Sequence, residues 1–230
     1  LSRSIGRKMD LDIIHVQHPL SSIYTAEAEP YVALGFFDGV HLGHQELINL
    51  AKRIAKQQDL KLAVMTFFPH PKQIIGNDQT PQTYITPLEQ KAKLMQDLGV
   101  DTLIVINLDS AFAHLSPSDF IEDYLCGFKC KHAVAEFDFR YGHKGEGNME
   151  TLKIEGKRFF EVTEMKKFEI DHEKVSSTKL RNLIGKVGSQ ISRHILAHIL
   201  KVKGQSIPRI IHTSSLHYRK HSRHPRPECI

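Results

Sequence analysis

The sequence predicts an α/β protein with a parallel sheet, and three consecutive segments carry that prediction. Residues 31–37 begin with an apolar run of strand length, residues 42–57 place apolar side chains at helical spacing, and residues 61–67 form a second apolar run. A strand, a helix and a strand in this order form a β-α-β unit, whose two strands pair in parallel. Such sheets bind ligands at the carboxyl ends of their strands, so we expect a binding site in the turns that follow the strands.

Further strands and capped helices extend this pattern along the chain. The other strands are expected at residues 12–16, 102–106, 132–135 and 159–163. One helix is expected to have Thr86 as its N-cap and to end at Gly99. Another is expected to start at Ser116, which has an aspartate three residues later, and to end near residue 127. This alternation of strands and helices predicts a Rossmann-like sheet.

Length and composition fit a globular domain. The chain has 230 residues, 40% of them hydrophobic, which suffices for a core. It contains no apolar run near the roughly 20 residues that cross a bilayer, and residues 1–8 lack the apolar centre of a secretory signal. The three cysteines indicate neither a disulfide framework nor a redox motif, because their number is odd and none are spaced C-x-x-C. We therefore expect a cytoplasmic protein that does not enter a membrane.

The expected domain covers residues 9–187, between a leader at residues 1–8 and a C-terminal extension at residues 188–230. Much of the net charge of +5 lies near the C-terminus, because residues 201–230 are rich in Lys, Arg and His and contain a single acidic residue, Glu228. From residue 205 onward there is little apolar periodicity, which predicts a disordered or poorly packed tail. We interpret the extension as vestigial or truncated.

The most informative stretch is G-F-F-D-G-V-H-L-G-H at residues 35–44, between the first strand and the helix of the β-α-β unit. Its three glycines permit tight turns and close approach of a ligand, and the helix start offers unpaired N–H groups. His41 and His44 are three residues apart, so they lie on one helix face, where each can donate a hydrogen bond to a phosphate. The alternatives are surface histidines at a helix start and a zinc pair, but further Cys or His ligands for zinc are missing nearby. The stretch predicts a phosphate site.

Three later segments are expected near the same edge of the sheet. Two prolines fix the backbone around His70, just beyond a strand. Residues 137–147 combine aromatic, charged and glycine residues, which suits a loop that stacks a planar ring, although a plain mobile loop has the same composition. Residues 175–181 open a helix with hydroxyl and cationic side chains, and cations at a helix N-terminus favour a bound anion there. An ordinary capped helix is the alternative.

Together these segments resemble a known family of enzymes. The turn at residues 35–44 is similar to the H-x-G-H signature of nucleotidyltransferases. With T-F-F-P-H-P, D-F-R-Y-G and S-S-T-K-L-R, it resembles the FMN adenylyltransferase (FAD synthetase) module of bacterial bifunctional riboflavin kinase/FMN adenylyltransferases. The resemblance extends over residues 12–181, and no G-F-P-T-A-N stretch of the kinase domain follows. Glu136 stands where the family pattern has glycine, and we expect its carboxylate to crowd or repel phosphate.

The resemblance implies transfer of AMP from ATP to FMN with release of pyrophosphate, in the presence of Mg²⁺ and without riboflavin kinase activity. The residues implied in catalysis are His41, His44 and Arg181. Those implied in nucleotide binding are Gly35, Phe37, Asp38, Gly39, Gly43, Ser176, Ser177 and Thr178. Those implied in flavin binding are His70, Asp138 and Phe139. The resemblance implies no protein side chains as a metal site, because Mg²⁺ bridges triphosphate oxygens with few protein ligands.

Three alternatives remain open. The H-x-G-H turn also fits nucleotidyl transfer to another phosphorylated acceptor. Glu136 and the missing kinase domain fit a degenerate module that binds nucleotide without turnover. Nucleic-acid binding through the basic tail is disfavoured, because the tail lacks interleaved aromatic residues and any recognisable binding module.

Overall fold

The computed structural model describes residues 10–20, 31–70, 84–170 and 173–185. The expected leader at residues 1–8 and the extension at residues 188–230 lie outside the described residues. Within the described part, Cys126 and Cys130 are free thiols. No helix of this part is both long and apolar enough to cross a membrane.

A six-stranded parallel sheet forms the centre of the described chain. Its strands are β1 (Asp12–Val16), β2 (Tyr31–Leu34), β3 (Leu62–Phe68), β4 (Thr102–Asn107), β5 (His132–Glu136) and β6 (Glu161–Met165). Their order across the sheet is β1-β4-β3-β2-β5-β6, and every neighbouring pair is parallel. The strand order reverses at β2, which has β3 on one side and β5 on the other. This confirms the predicted α/β class and places a topological switch point at the carboxyl ends of β2 and β5.

Helices connect the strands and cover both faces of the sheet. They are α1 (Leu42–Gln57), α2 (Leu88–Leu98), α3 (Ser110–Ala113), α4 (Pro117–Asp119), which continues with π-type hydrogen bonding over Phe120–Cys126, α5 (Met149–Gly156) and α6 (Ser177–Gly185). A short antiparallel pair, β7 (Glu169–Ile170) and β8 (Glu173–Lys174), precedes α6.

Alternate residues of β2 enter two different cores. Ala33 packs with apolar residues of α1 and α2, whereas Val32 and Leu34 pack with residues of α3, the π-helical segment and α5. Because both faces are covered, the central strands are apolar along their whole length, as parallel strands usually are. This explains why β3 has a continuous apolar run in the sequence rather than an alternating pattern.

Most of the predicted element boundaries agree with the structure. Helix α1 has the predicted bounds, and Gly99 ends α2 in the left-handed conformation with φ of 77°. Ser116 forms the predicted capping box with Asp119. The prediction for Thr86 was wrong, because α2 has Pro87 as its N-cap without a side-chain cap bond.

The region before β6 was predicted less well. Helix α5 was not predicted, although Asn148 and Thr151 form a capping box at its start. Strand β6 begins two residues later than expected, because residues after α5 form a turn in which the Phe160 N–H donates to the Gly156 carbonyl at 3.0 Å. The physical reason is that apolar Phe159 and Phe160 look like strand residues, yet Phe159 is 52% exposed in that turn.

Candidate nucleotide site

The turn between β2 and α1 has an unusual backbone. The Gly35 N–H donates to the Met65 carbonyl at 3.2 Å and so continues the sheet pairing past the end of β2. Phe37, Gly39 and Val40 then adopt positive φ angles of 51°, 89° and 37°. Such conformations are uncommon for bulky residues and cluster at functional sites. The turn is therefore held in one conformation by its surroundings.

The two histidines of the turn are in direct contact. His41 is the N-cap of α1, and its Nδ1 accepts the N–H of His44 at 3.2 Å. Since that nitrogen is an acceptor, the proton of neutral His41 is on Nε2. The two rings stack with centroids 3.6 Å apart, and a Cβ added at Gly43 would lie 3.2 Å from Nδ1 of His41. Gly43 is thus needed for close approach of the His41 ring.

Asp38 joins the turn to two distant segments. Its Oδ1 accepts the backbone N–H groups of Ile85 and Thr86 at 3.0 and 3.1 Å, just before α2. Its Oδ2 accepts from the Arg181 guanidinium of α6, and its backbone carbonyl accepts the Ser177 hydroxyl at 2.8 Å. Asp38 is only 3% exposed, so these partners replace water around its carboxylate.

Helix α6 packs directly against the turn. Leu180 is fully buried, and a Cβ added at Gly39 would lie 3.2 Å from its Cδ1. The Ser176 hydroxyl accepts the Lys179 N–H at 3.3 Å and so caps the start of the helix, while Thr178 is exposed. The hydroxyl-bearing helix start and the histidine turn, far apart in sequence, are therefore in direct contact.

Lys91 lies beneath the turn and was not predicted. Its Nζ donates to the Phe36 carbonyl at 2.7 Å and to Thr66 Oγ1 at 3.1 Å, and the Thr66 hydroxyl donates to the same carbonyl at 2.9 Å. Lys91 is only 4% exposed, and this burial lowers its pKa to about 8, with Asp38 opposing the shift. The sequence signal that could have revealed this buried lysine is its position on the apolar face of α2, three residues after Leu88.

A cavity of about 700 Å³ opens beside the turn at the switch point of the sheet. It lies at the carboxyl ends of β2 and β5, and its volume is within the range of small-molecule sites. Its walls are mainly aromatic, formed by Phe36, Phe37, Phe67, Phe112, Phe120, Phe139 and Tyr141. Its polar lining residues are His44, Glu136, Asp138, Arg140 and Lys144.

The loop after β5 forms one wall of this cavity. The Phe139 N–H donates to the Glu136 carbonyl at 3.0 Å, and the rings of Phe139 and Tyr141 stack with centroids 5.9 Å apart. Glu136 is the last residue of β5, is half-buried and pairs with Met165 of β6. Its backbone is extended, so the position does not require glycine for its conformation.

The predicted site residues separate into two groups. Those that line the cavity are Gly35, Phe37, His44, Asp138 and Phe139. Asp38, Gly39, His41, Gly43, Ser176, Ser177, Thr178 and Arg181 belong to the turn or to the helix packed on it. The ring of His70 contacts that of Phe36, a cavity-lining residue, with centroids 5.0 Å apart, and the His70 N–H donates to the Tyr84 hydroxyl at 2.8 Å.

The carboxylates of the site do not form a compact metal centre. Among the described residues, no group of three or more His, Cys, Asp or Glu side chains is placed to hold a metal ion. Both carboxylate oxygens of Asp38 accept hydrogen bonds from the protein.

Fold and site together define a class of protein. A parallel sheet whose order reverses beside an H-x-G-H turn, with an aromatic cavity at that point, is a Rossmann-like nucleotide-binding fold. The particular family follows from the comparison of sequences: residues 24–179 match the family described as FAD synthetase, and the chain belongs to that family. The resemblance seen in the motifs is confirmed.

Individual relatives agree with this assignment. The chain is 41% identical over 193 residues to the bifunctional riboflavin kinase/FMN adenylyltransferase of Bacillus subtilis (strain 168), covering 83% of this chain and 60% of the relative. It is 29% identical over 174 residues to an FAD synthetase of Listeria monocytogenes, covering 75% and 70%. The chain thus spans about 60% of the length of bifunctional relatives such as the Bacillus protein.

A solved structure shares the fold. A crystal structure named as a macrolide-efflux protein from Streptococcus pneumoniae superposes with a TM-score of 0.70 at 26% identity, covering 84% of this chain and 62% of that one. This likeness supports the arrangement of strands and helices around the site.

Proposed function

We propose that this chain forms FAD by transferring AMP from ATP to FMN, with release of pyrophosphate. The observation that carries the proposal is the contact of the histidine turn with the hydroxyl-bearing start of α6 beside an aromatic cavity, in a chain of the FAD synthetase family. The names of two relatives, FMN adenylyltransferase and FAD synthetase, agree with it.

The reaction needs positioning and charge stabilisation rather than a protein nucleophile. A phosphate oxygen of FMN attacks the α-phosphorus of ATP, a new P–O bond forms, the bond between the α- and β-phosphates breaks, and pyrophosphate leaves with its electron pair. Holding two anionic reactants in line accounts for much of the rate increase, and fixed donors stabilise the charge on the α-phosphate and the leaving group.

The described residues divide this work between the turn and α6. His44 lines the cavity and lies at the start of α1, where it can donate to a phosphate oxygen, while the Nε2–H of His41 is a second donor. The dipole at the start of α1 favours the same anion. Arg181, which pairs with Asp38, contributes positive charge next to the turn. Mg²⁺ enters as part of the MgATP substrate and neutralises phosphate charge.

The aromatic cavity is the proposed flavin site. Its phenylalanine and tyrosine side chains offer faces and edges for stacking a planar ring. From the loop after β5, Phe139 lines the cavity and stacks on Tyr141. With the ring there, the phosphate of FMN reaches toward His44 at the edge of the cavity. The His70 ring packs against the Phe36 ring of this wall, and its implied part in flavin binding stays a prediction.

Binding without turnover is the second candidate, and Glu136 is the observation that favours it. Its carboxylate lines the cavity together with Asp138, which places two acidic side chains near an anionic substrate. Transfer of AMP to a different phosphorylated acceptor is a further candidate, since it needs the same attack of a phosphate oxygen on the α-phosphorus of ATP.

One assay separates these possibilities. The purified chain is incubated with MgATP and FMN, and FAD and pyrophosphate are measured, with parallel reactions containing riboflavin, nicotinamide mononucleotide or phosphopantetheine. We expect FAD and equimolar pyrophosphate from FMN, and no FMN from riboflavin. Pyrophosphate with another acceptor only would change the substrate, and calorimetric binding of ATP and FMN without FAD would overturn the proposed turnover.

A further inference from the structure

The amine of Lys91 is placed to control the direction of one peptide in the turn. The Phe36 carbonyl accepts hydrogen bonds from both Lys91 and Thr66, so it points toward α2 and β3. In a trans peptide the carbonyl and the following N–H point in opposite directions, so the N–H of Phe37 points away from Lys91. Lys91 lies at the α2 face of the sheet, whereas the cavity opens among residues of the opposite face.

The Phe37 N–H is therefore directed toward the site. Among the described residues, none accepts a hydrogen bond from this group. A backbone N–H that faces a site is available to a ligand, and an anion bound at the turn supplies an acceptor for it. The positive φ of Phe37 shows that this peptide is held away from the conformation that a bulky residue prefers.

The charge of Lys91 is difficult to explain by stability alone. A buried lysine loses its hydration, and apolar residues of similar size often replace buried charges without loss of stability. Among the described residues, the charge of Asp38 raises the pKa of Lys91 and so partly offsets the effect of burial. Asp38 in turn forms an ion pair with Arg181, and its charge also raises the pKa of Tyr84. Two cations and one carboxylate leave a net positive charge under the turn, which favours an anion above it.

We propose that Lys91 is a positioning residue: its ammonium group, together with the Thr66 hydroxyl, fixes the Phe36 carbonyl so that the Phe37 N–H donates to the triphosphate of the bound nucleotide. The inference rests on the proposed function for the identity of that anion. Lys91, which lies outside the motif at residues 35–44, would thus orient the Phe37 N–H, a donor within that motif.

Lys91→Met tests this role, with Lys93→Met as the matched control because Lys93 is exposed on the same helix. We expect Lys91→Met to lower kcat for FAD formation about 30-fold, with less than a threefold change in the KM for FMN, because the lost donor orientation acts on the triphosphate. Lys93→Met is expected to match the unmodified chain. Equal kcat values for the two variants would overturn the proposal.

Two further readouts separate positioning from a purely structural role. Because burial lowers the pKa of Lys91 to about 8 from 10.5, its protonated form opposes folding fully below pH 8, and this opposition fades as the pH rises toward 10.5. Lys91→Met is therefore expected to have an equal or higher Tm at pH 7, with the difference shrinking at higher pH. Turnover of the unmodified chain is expected to fall as the pH rises through 8, and this fall should be absent in Lys91→Met. A lower Tm with an unchanged pH profile of kcat would mean a structural role only.

Binding measurements keep the test independent of FAD synthesis. If the unmodified chain makes no FAD but binds a non-hydrolysable ATP analogue, the proposed function fails, while Lys91→Met is still expected to bind that analogue about tenfold more weakly than Lys93→Met. Should Lys91→Met not fold, Thr66→Val removes the other donor to the same carbonyl and is expected to weaken analogue binding about threefold. Unchanged binding in the variant tested, or no binding by the unmodified chain, would overturn the inference.

Discussion

The histidine turn at residues 35–44 and the loop at residues 137–147 border the same cavity but are held in different ways. The turn is fixed from outside, because side chains of β3, α2 and α6 bond to its backbone and Asp38 bonds to the start of α2 and to α6. The loop is held largely by bonds between backbone groups: Tyr141 pairs with Gly147, and the His143 N–H donates to the Leu115 carbonyl. Phe137, Asp138, Arg140 and Lys144 of the loop are exposed.

This difference matches the demands of the proposed reaction. Phosphate donors are effective only when they are fixed before the charge develops, so a turn bonded by several elements suits them. A wall that stacks a flat ring tolerates small adjustments, because offset and edge-to-face arrangements over a range of ring distances are all favourable. We therefore expect substitutions in the turn to lower kcat and substitutions in the loop to raise the KM for FMN.

The largest effect is expected at His44. His44→Ala removes a donor that lines the cavity at the start of α1, and we expect kcat for FAD formation to fall by on the order of a hundredfold or more, as loss of a preorganised donor does. The measurement is steady-state FAD formation, accompanied by circular dichroism to verify the fold.

His15→Ala is the control for this variant, because His15 is exposed on β1, at the edge of the sheet. It should retain full turnover. A His44→Ala protein that makes FAD at the normal rate would remove His44 from the mechanism. It would also contradict the expectation that substitutions in the turn lower kcat more than substitutions in the loop.

Asp38 should show the next largest effect, through the connection between the turn and α6. Asp38→Asn keeps the shape but removes the charge that faces Arg181, whose side chain is 30% exposed. We expect the free energy of unfolding to fall by roughly 1–3 kcal/mol, the cost of leaving a partly buried charge without its partner. We expect kcat to fall about 20-fold, because the turn loses its connection to the helix that carries the hydroxyl groups.

A double-mutant cycle makes this prediction specific. Asp97→Asn, at an exposed position of α2, is the control and should change neither quantity. Arg181→Met combined with Asp38→Asn should cost less than the two single changes added together, since both remove the same contact. Additive losses would show that the two residues act independently.

These contacts also show which parts of the site a sequence can predict. Helix α1 and the strands were predictable because their apolar periodicity is local, and the histidine turn was predictable because its residues are consecutive. The bond between Asp38 and Arg181 joins residues 143 positions apart, so it exists only once the sheet has brought them together. Without the resemblance, the segment at residues 175–181 could equally be an ordinary capped helix.

Lys91 illustrates the limit most clearly. Its residue type predicts a solvated side chain, since lysine is seldom fully buried. Only the tertiary structure shows that α2 directs it beneath the turn, where a backbone carbonyl and a hydroxyl accept its hydrogen bonds. Thr86 is a similar case, because the cap expected from its hydroxyl is absent and its N–H instead donates to the carboxylate of Asp38 in the distant turn.

The loop should respond more weakly, and Phe139 tests its aromatic wall. Phe139→Ala removes a ring that stacks on Tyr141 and lines the cavity, and we expect the KM for FMN to rise about tenfold, which corresponds to the contribution of one stacked ring. The value of kcat should change less than threefold. Phe159→Ala, a control at a 52% exposed position, should leave both constants unchanged. A fall in kcat at unchanged KM would show that the loop takes part in the chemical step.

The smallest effect is expected at Glu136, which lies where the loop leaves β5. Its carboxylate lines the cavity but is half-buried, so solvent and salt weaken its repulsion of an anionic substrate. We expect Glu136→Gly to lower the KM for FMN about threefold, measured at low ionic strength. Glu136→Gln distinguishes charge from crowding. The same decrease in the KM for FMN in both variants would show that the charge opposes binding. A decrease in Glu136→Gly alone would show that the side chain obstructs the cavity. A loss of activity in both variants would instead mean that this carboxylate assists the substrate, and the departure from the family pattern would then be a functional feature of the loop.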